Sequence, residues 1–260
     1  SPQLGFTCEF DARKTEFQWQ AVKAYSLEDE ERILQKRPKD SKTTLYDFLP
    51  GTIIKHGVML RELHSGSTAK QMSNSQLMFH SQETASFPYT PILAKVDPNY
   101  GFVFILDLGG QQTGLLEFEI DAPEGMIIDI AHGEHLDDGR VRAALFGRNF
   151  ADRYICRAGR QSFTFPFRRI AGRYLELHLC PSAQQSFTLY RCGVRPQMLS
   201  LPAAADFVCQ DEVLLKLRSR VIKTLEMCMH EHYEDCPWRE QALYTYDSRL
   251  QMLYGYYSWG

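Results

Sequence analysis

The chain has 260 residues, 44% of them apolar and 12% aromatic, and carries a formal net charge of −3. That length allows one large domain or two ordinary ones with a real core. The mildly acidic balance argues against nucleic acid or an anionic membrane surface as the main partner, and no apolar run approaches the roughly 18 residues that a membrane span needs.

Residues 1–62 have mixed character, with a charge-rich stretch in which Ser26–Lys36 could form a short helix and Pro38–Lys42 a loop. They are expected to be the tail of an upstream domain. Residues 63–100, rich in Ser, Thr, Gln and Pro, are expected to be a connecting segment with few firm elements. Residues 101–200 change pattern. Phe102–Asp107 is strand-like and ends at Gly109-Gly110, Leu115–Ile120 alternates, and Ala122–Gly125 is a turn. Met126–His132 is a further strand closed by Asp137-Asp138-Gly139. After a loop come Asp152–Cys156, Gln161–Phe165, Arg173–Leu179 and Ser186–Tyr190. Short strands with turn signals at this spacing predict an antiparallel β-sandwich, so the chain is expected to be mainly β.

From Asp206 the period becomes helical. Val213, Leu214, Leu217, Val221, Leu225 and Cys228 recur on one face, Gln210 or Asp211 is a candidate N-cap, and the helix is expected to run to about His230. A second helix is expected between Gln241 and Trp259. Residues 206–260 thus look like the first helices of a separate, helical domain. The seven cysteines (8, 156, 180, 192, 209, 228 and 236) form no CxxC pair. They are expected to be reduced core thiols, one or two bridges in a periplasmic protein being the alternative.

The segment most able to carry chemistry is His230-Glu231-His232-Tyr233-Glu234-Asp235-Cys236-Pro237-Trp238-Arg239-Glu240, followed by Asp247. Glycosidic hydrolysis needs one protonated carboxyl to donate to the leaving oxygen and a second carboxylate on the other face. Glu240, near Trp238 and flanked by Asp235 and Asp247, is a candidate acid, although Arg239 opposes a raised pKa if it points the same way. Asp235 and Asp247 can accept hydrogen bonds from sugar hydroxyls, and Trp238 or tyrosines 244, 246 and 256 can stack on a pyranose. The bland alternative is a solvated acidic loop closing a helix. A zinc site at His230, His232 and Asp235 is disfavoured, because residues i and i+2 on a helix do not face one another. Cys236 reads as a small buried residue before Pro237. His132, Glu134 and His135 read as surface groups, and Asp152-Arg153-Tyr154 as structural.

Asp235-Cys236-Pro237-x-Arg239-Glu240 with Asp247 downstream resembles the active-site motif of the bacterial α-L-rhamnosidases, inverting glycoside hydrolases with an (α/α)6 barrel. Asp107–Gly114, His132–Arg140, Ala151–Tyr154, Phe165–Phe167 and Gly172–Leu177 are similar to successive strand segments of the family's β-sandwich. The resemblance covers about Tyr100 to Tyr257. It implies that Glu240 is the general acid, that Asp235, Asp247 and Arg239 bind the sugar, and that a rhamnose-containing glycan or glycoside is the substrate, with no cofactor. The family often reads Arg-Leu-Gly-Trp-Thr-Gly-Asp after the acid, whereas this chain has Gln241-Ala242-Leu243-Tyr244-Thr245-Tyr246-Asp247. The family's general base is a glutamate in later helices. The resemblance therefore implies a fragment inactive alone, with apolar helix faces such as Leu214, Leu217, Val221 and Leu225 uncovered. The alternative is a non-catalytic carbohydrate-binding β-sandwich.

Overall fold

The computed structural model describes residues 7–14, 43–64, 66–80, 85–91, 97, 99–181 and 186–260. The expected helix at Ser26–Lys36 and the loop at Pro38–Lys42 lie outside the described residues.

Strands β1 (Glu9–Asp11), β2 (Thr43–Leu45), β3 (Leu49–Pro50) and β4 (Thr52–Leu60) precede a short helix, α1 (Thr68–Asn74), and strand β5 (Gln76–Phe79). Then follow β6 (Tyr100–Ala122), β7 (Ile127–Gly133) and four very short strands, β8 (Leu136–Asp137), β9 (Arg140–Val141), β10 (Ala144–Leu145) and β11 (Arg148–Asn149). Strands β12 (Ala151–Ile155), β13 (Gly159–Thr164), β14 (Ile170–Cys180) and β15 (Thr188–Leu199) complete the β-domain, and helices α2 (Glu212–Met227) and α3 (Thr245–Trp259) follow it.

The chain is mainly β, in the sandwich expected from its strand pattern, and one strand organises it. β6 is continuous through Gly109-Gly110, where the sequence predicts a strand end. Gly109 takes a left-handed conformation (φ 77°), which a residue without a Cβ adopts at no steric cost, so the strand bends instead of stopping. Before the bend β6 pairs with β4 and β14; after it, β14 stays paired as far as Gly114, and β13 and β15 take up the rest. The apolar residues of the two halves, Phe104 and Leu106 with Leu116, Phe118 and Ile120, meet in one core with Ile130, Leu177 and Val194. Each such side chain, fully buried, contributes about 1.5–3 kcal/mol.

The intervening residues Val103 and Ile105 are buried as well, which explains the unbroken apolar run at the start of β6. The outer face of that sheet is covered. Ala69 and Met72 of α1 pack with Val141, Ala143 and Ala151 over it. The described parts of residues 1–62 and 63–100 therefore differ from expectation. β1 runs parallel to β12, β4 pairs with β6, and β5 pairs with β4, so these segments belong to the same sheet network. Their short apolar pieces could not be assigned without their partners.

A charged cluster lies under α1. Glu176 accepts from Arg140 Nη2 (3.0 Å) and the Val141 amide (2.9 Å) and is bonded to His178 Nε2 at 2.8 Å. Burial pushes this carboxyl up, but the His178, Arg140 and Val141 contacts outweigh it and hold Glu176 below its ordinary value of 4.5. Asp107 is also held low, by its hydrogen bond from Arg173. A depressed carboxylate contributes stability that is present above its unfolded value and is lost as pH falls through the folded one. Thermal melts at stepwise pH should therefore show Tm falling below pH 4.5, with a shallower fall in Glu176→Gln. An unchanged slope in that variant removes the cluster as the cause.

The outward face of the other layer is crowded with ion pairs. Glu117 accepts from Arg195 (2.8 Å), Glu119 from Arg160 (2.5 Å), and Arg191 reaches both carboxylates. Arg160 also lies 4.1 Å from the centre of the Tyr190 ring.

α2 starts where the sequence predicts, with Asp211 Oδ1 accepting from the Val213 amide at 2.8 Å. It stops at Met227, short of the expected His230. Leu214, Leu217 and Val221 are exposed, whereas Leu225, expected on the same uncovered face, is buried.

Candidate active site

Between α2 and α3 the chain makes a pinched loop. The Asp235 amide donates to Ala242 O (2.9 Å), and the Ala242 amide donates back to Asp235 Oδ1 (3.0 Å). Gln241 closes the pinch in a left-handed conformation (φ 54°), with its side-chain Nε2 donating to Pro237 O at 2.8 Å. A non-glycine residue in that region is strained and persists only where its surroundings over-determine it. The pinch turns Pro237 and Trp238 inward and leaves Arg239 exposed and Glu240 partly exposed.

Trp238 is buried against Phe150 and Ala171 of the β-domain, 4.9 Å from the Phe150 ring centre and edge-on to His135 at 5.8 Å. Its faces are occupied by protein, so it anchors the loop to the sandwich; the exposed pyranose platform expected from the sequence is not what this burial provides. A second anchor lies beside it. Arg169, in the β13–β14 connection, pairs with the buried Glu234 and donates to Thr113 Oγ1 of β6 (2.8 Å). His230 Nδ1 is 3.3 Å from Glu234 Oε1, and its Nε2 is 3.5 Å from Thr113 Oγ1. Burial pulls the Arg169 guanidinium down from its ordinary value, against the opposing charge of Glu234. His230 and Glu234 thus hold the helical segment on the sheet. Among the described residues no group of three or more His, Cys, Asp or Glu converges on a metal position.

The sequence-nominated carboxylates are distributed over this frame. Glu240 receives the Tyr244 hydroxyl at 2.6 Å and lies 3.2 Å from Arg239 Nη2 and 3.6 Å from Arg148 Nη2. The bond to Glu240 pushes the Tyr244 phenol up, so Tyr244 is the donor. Asp235 is half-buried, one oxygen spent on the Ala242 amide. Asp247 is exposed on the first turn of α3, where the helix dipole favours a negative charge. Glu240 and Arg239 are in contact; Asp235 stands at the neck of the same loop. Cys236 is half-buried, and burial pushes its thiol up.

Arg148 is the site residue that sequence reasoning missed. It comes from β11, in a stretch read as a plain loop, and no motif links it to Glu240. His132, read as a surface group, is instead buried: Nδ1 donates to Ala171 O at 2.9 Å, and burial pulls the imidazole down to about 3, which keeps it neutral. Glu134 is partly buried and accepts from Gln111 Nε2 at 2.8 Å; burial pushes its carboxyl up. It borders a cavity of about 400 Å³ between the sheet and α2, lined also by Gln112, Arg220, Thr224 and Pro237.

Residues 100–194 match the family model of the bacterial alpha-L-rhamnosidase concanavalin-like domain. No curated protein matches the chain. Among solved structures it is similar to a GH78 family rhamnosidase of Bacillus sp. GL1, at 27% identity and a TM-score of 0.62, over 74% of this chain and 20% of that one. It is similar also to a rhamnosidase from Klebsiella oxytoca with rhamnose bound, at 18% identity and a TM-score of 0.56, over 85% of this chain and 42% of that one. An alpha-L-rhamnosidase from Dictyoglumus thermophilum has a TM-score of 0.52 at 19% identity, over 72% of this chain and 22% of that one. The chain therefore spans between about a fifth and two-fifths of the length of these relatives.

Proposed function

We propose that the chain, whose residues 100–194 match the bacterial alpha-L-rhamnosidase concanavalin-like domain, forms part of a glycoside hydrolase that releases terminal α-L-rhamnose with inversion. The observation that carries this reading is the family match over the very domain on which the Glu240 loop is anchored. Glu240 is the general acid. It lies partly open to solvent at the seam between sheet and helices, oriented by Tyr244, Arg239 and Arg148. Asp235, Asp247 and Arg239 bind the sugar hydroxyls, and Trp238 supports them by fixing the loop.

Inversion requires a second carboxylate that activates water from the opposite face, at about 6.5–9.5 Å from the acid. In this reading a glutamate outside these 260 residues supplies it, so the chain alone is inactive. The binding-module reading is disfavoured by the outer face of the sandwich, where Glu117, Glu119, Arg160, Arg191 and Arg195 are committed to one another.

The test is a panel of nitrophenyl glycosides offered to a protein extended beyond Gly260. Turnover of the α-L-rhamnoside supports the proposal. Turnover of another glycoside alone keeps the mechanism and replaces the sugar. With no turnover of any glycoside, the hydrolase reading fails and glycan binding by the sandwich becomes the better account.

A further inference from the structure

The hairpin β10–β11 is a small part of the β-domain with an unusual tip. Its two turn residues, Phe146 and Gly147, both take left-handed conformations (φ 47° and 75°), the geometry whose twist suits a two-residue hairpin loop. Asn, Asp or Gly usually fills the first of these positions, because a bulky side chain is strained there. Here a phenylalanine fills it, and its ring is 78% exposed. The sandwich core gains nothing from that ring.

The rest of the hairpin is held firmly. Leu145 and Arg148 are directly paired across it and share one face. Leu145 packs against the Phe150, Ala171 and Trp238 cluster, while Arg148 reaches to 3.6 Å from Glu240. Arg148 Nε is buried without a hydrogen-bond partner among the described residues. Asn149 is tied on both sides: its side-chain oxygen is 3.2 Å from Ser67 Oγ, and its carbonyl accepts from Arg168. An exposed phenyl thus sits on an anchored ribbon, two residues from the arginine that touches Glu240, which limits their Cα separation to about 7 Å.

A general acid stands at the bond between the departing group and the sugar. Asp235 and Asp247, proposed to hold the sugar, come from the helical segment, whereas the hairpin approaches Glu240 from the β-domain. We propose that the β10–β11 hairpin is the leaving-group wall of the site. Phe146 lies against a flat apolar face of the group on the far side of the cleaved bond, either an aryl ring or the carbon face of a second sugar. Arg148 acts as a positioning residue for Glu240. This inference rests on the reading of Glu240 as the acid.

The experiment compares wild type, Phe146→Ala and Phe146→Tyr of the extended protein on three substrates: α-L-rhamnosyl fluoride, nitrophenyl α-L-rhamnoside and a rhamnosyl disaccharide. Fluoride is small and leaves without a proton, so it has nothing to place on the ring. Phe146→Ala should lower kcat/KM roughly tenfold on the larger substrates, the scale of one lost ring contact, and leave the fluoride unchanged; Phe146→Tyr should restore it. A loss confined to the nitrophenyl substrate identifies an aryl leaving group, and a loss on the disaccharide identifies a sugar. An equal loss on all three substrates, or none on the larger two, overturns the hairpin assignment while the hydrolase reading stands. Failure of wild type to turn over any of them removes the hydrolase reading and this inference with it.

Discussion

Glu240→Gln, in a protein extended beyond Gly260, should lower kcat/KM for a rhamnosyl disaccharide by about 10²–10⁴-fold, the usual contribution of general acid catalysis. Glutamine keeps the size of the side chain. Its carbonyl can still lie beside Arg239 and Arg148, and its amide can donate to the Tyr244 hydroxyl, so the loop has no reason to rearrange. What it lacks is a proton to give. The defect should therefore be large for a poor leaving group and much smaller for α-L-rhamnosyl fluoride. Unaltered turnover of the disaccharide removes Glu240 as the acid. An equal collapse on both substrates means that the change disturbed sugar binding instead.

Arg169→Met should cost the 260-residue chain about 3–5 kcal/mol, the range for removing one partner of a buried ion pair. Glu234 has a side chain 1% exposed and an Oε2 that already lacks a partner among the described residues. Without Arg169 it keeps, among the described residues, only His230 Nδ1, at 3.3 Å, as an ion-pair partner. Thr113 Oγ1 loses its guanidinium donor as well. Because Arg169 lies on the β-domain and Glu234 on the helical segment, the loss should fall on their association. With Trp19 and Trp259 replaced by phenylalanine so that Trp238 alone reports, urea unfolding followed by fluorescence should shift to lower denaturant than unfolding followed by the strand signal in circular dichroism. Replacing both partners, Arg169→Met with Glu234→Met, should recover much of the loss, since the uncompensated charge is gone. A cost under about 1 kcal/mol places the pair with exposed salt bridges, which contribute little.

Much of the β-domain was legible residue by residue. The expected strands at Leu115–Ile120 and Arg173–Leu179 became paired strands, the second buried on both faces from Leu175 to Leu179. Asp138-Gly139 became the turn of a tight hairpin, with both residues at positive φ. Gly109-Gly110 misled in an instructive way. Two glycines end a strand when nothing continues beyond them, but they bend it when both flanks find partners, and the partners of β6 are separated from it by tens of residues. The segments at Thr52–Leu60 and Gln76–Phe79 were missed for the same reason: the place of each in the sheet depends on pairing with β6 or β4.

The site divides similarly. Glu240, Asp235, Arg239, Asp247 and Trp238 could be nominated from one contiguous motif, and the Asp211 cap from its position before a helical period. Local chemistry of this kind survives in a linear reading because propensity, capping and turn preference act over a few residues. Whether Trp238 faces a sugar or the sandwich depends on Phe150 and Ala171. That Glu234 is a clamp depends on Arg169, 65 positions away, and that Glu240 has a β-domain neighbour depends on a hairpin carrying Arg148. Sequence by itself determined which residues could do chemistry and which segments alternate or turn. Tertiary structure alone decided which of those residues are buried, paired or presented, because burial and ion pairing are set by surfaces that meet only when distant segments of chain come together.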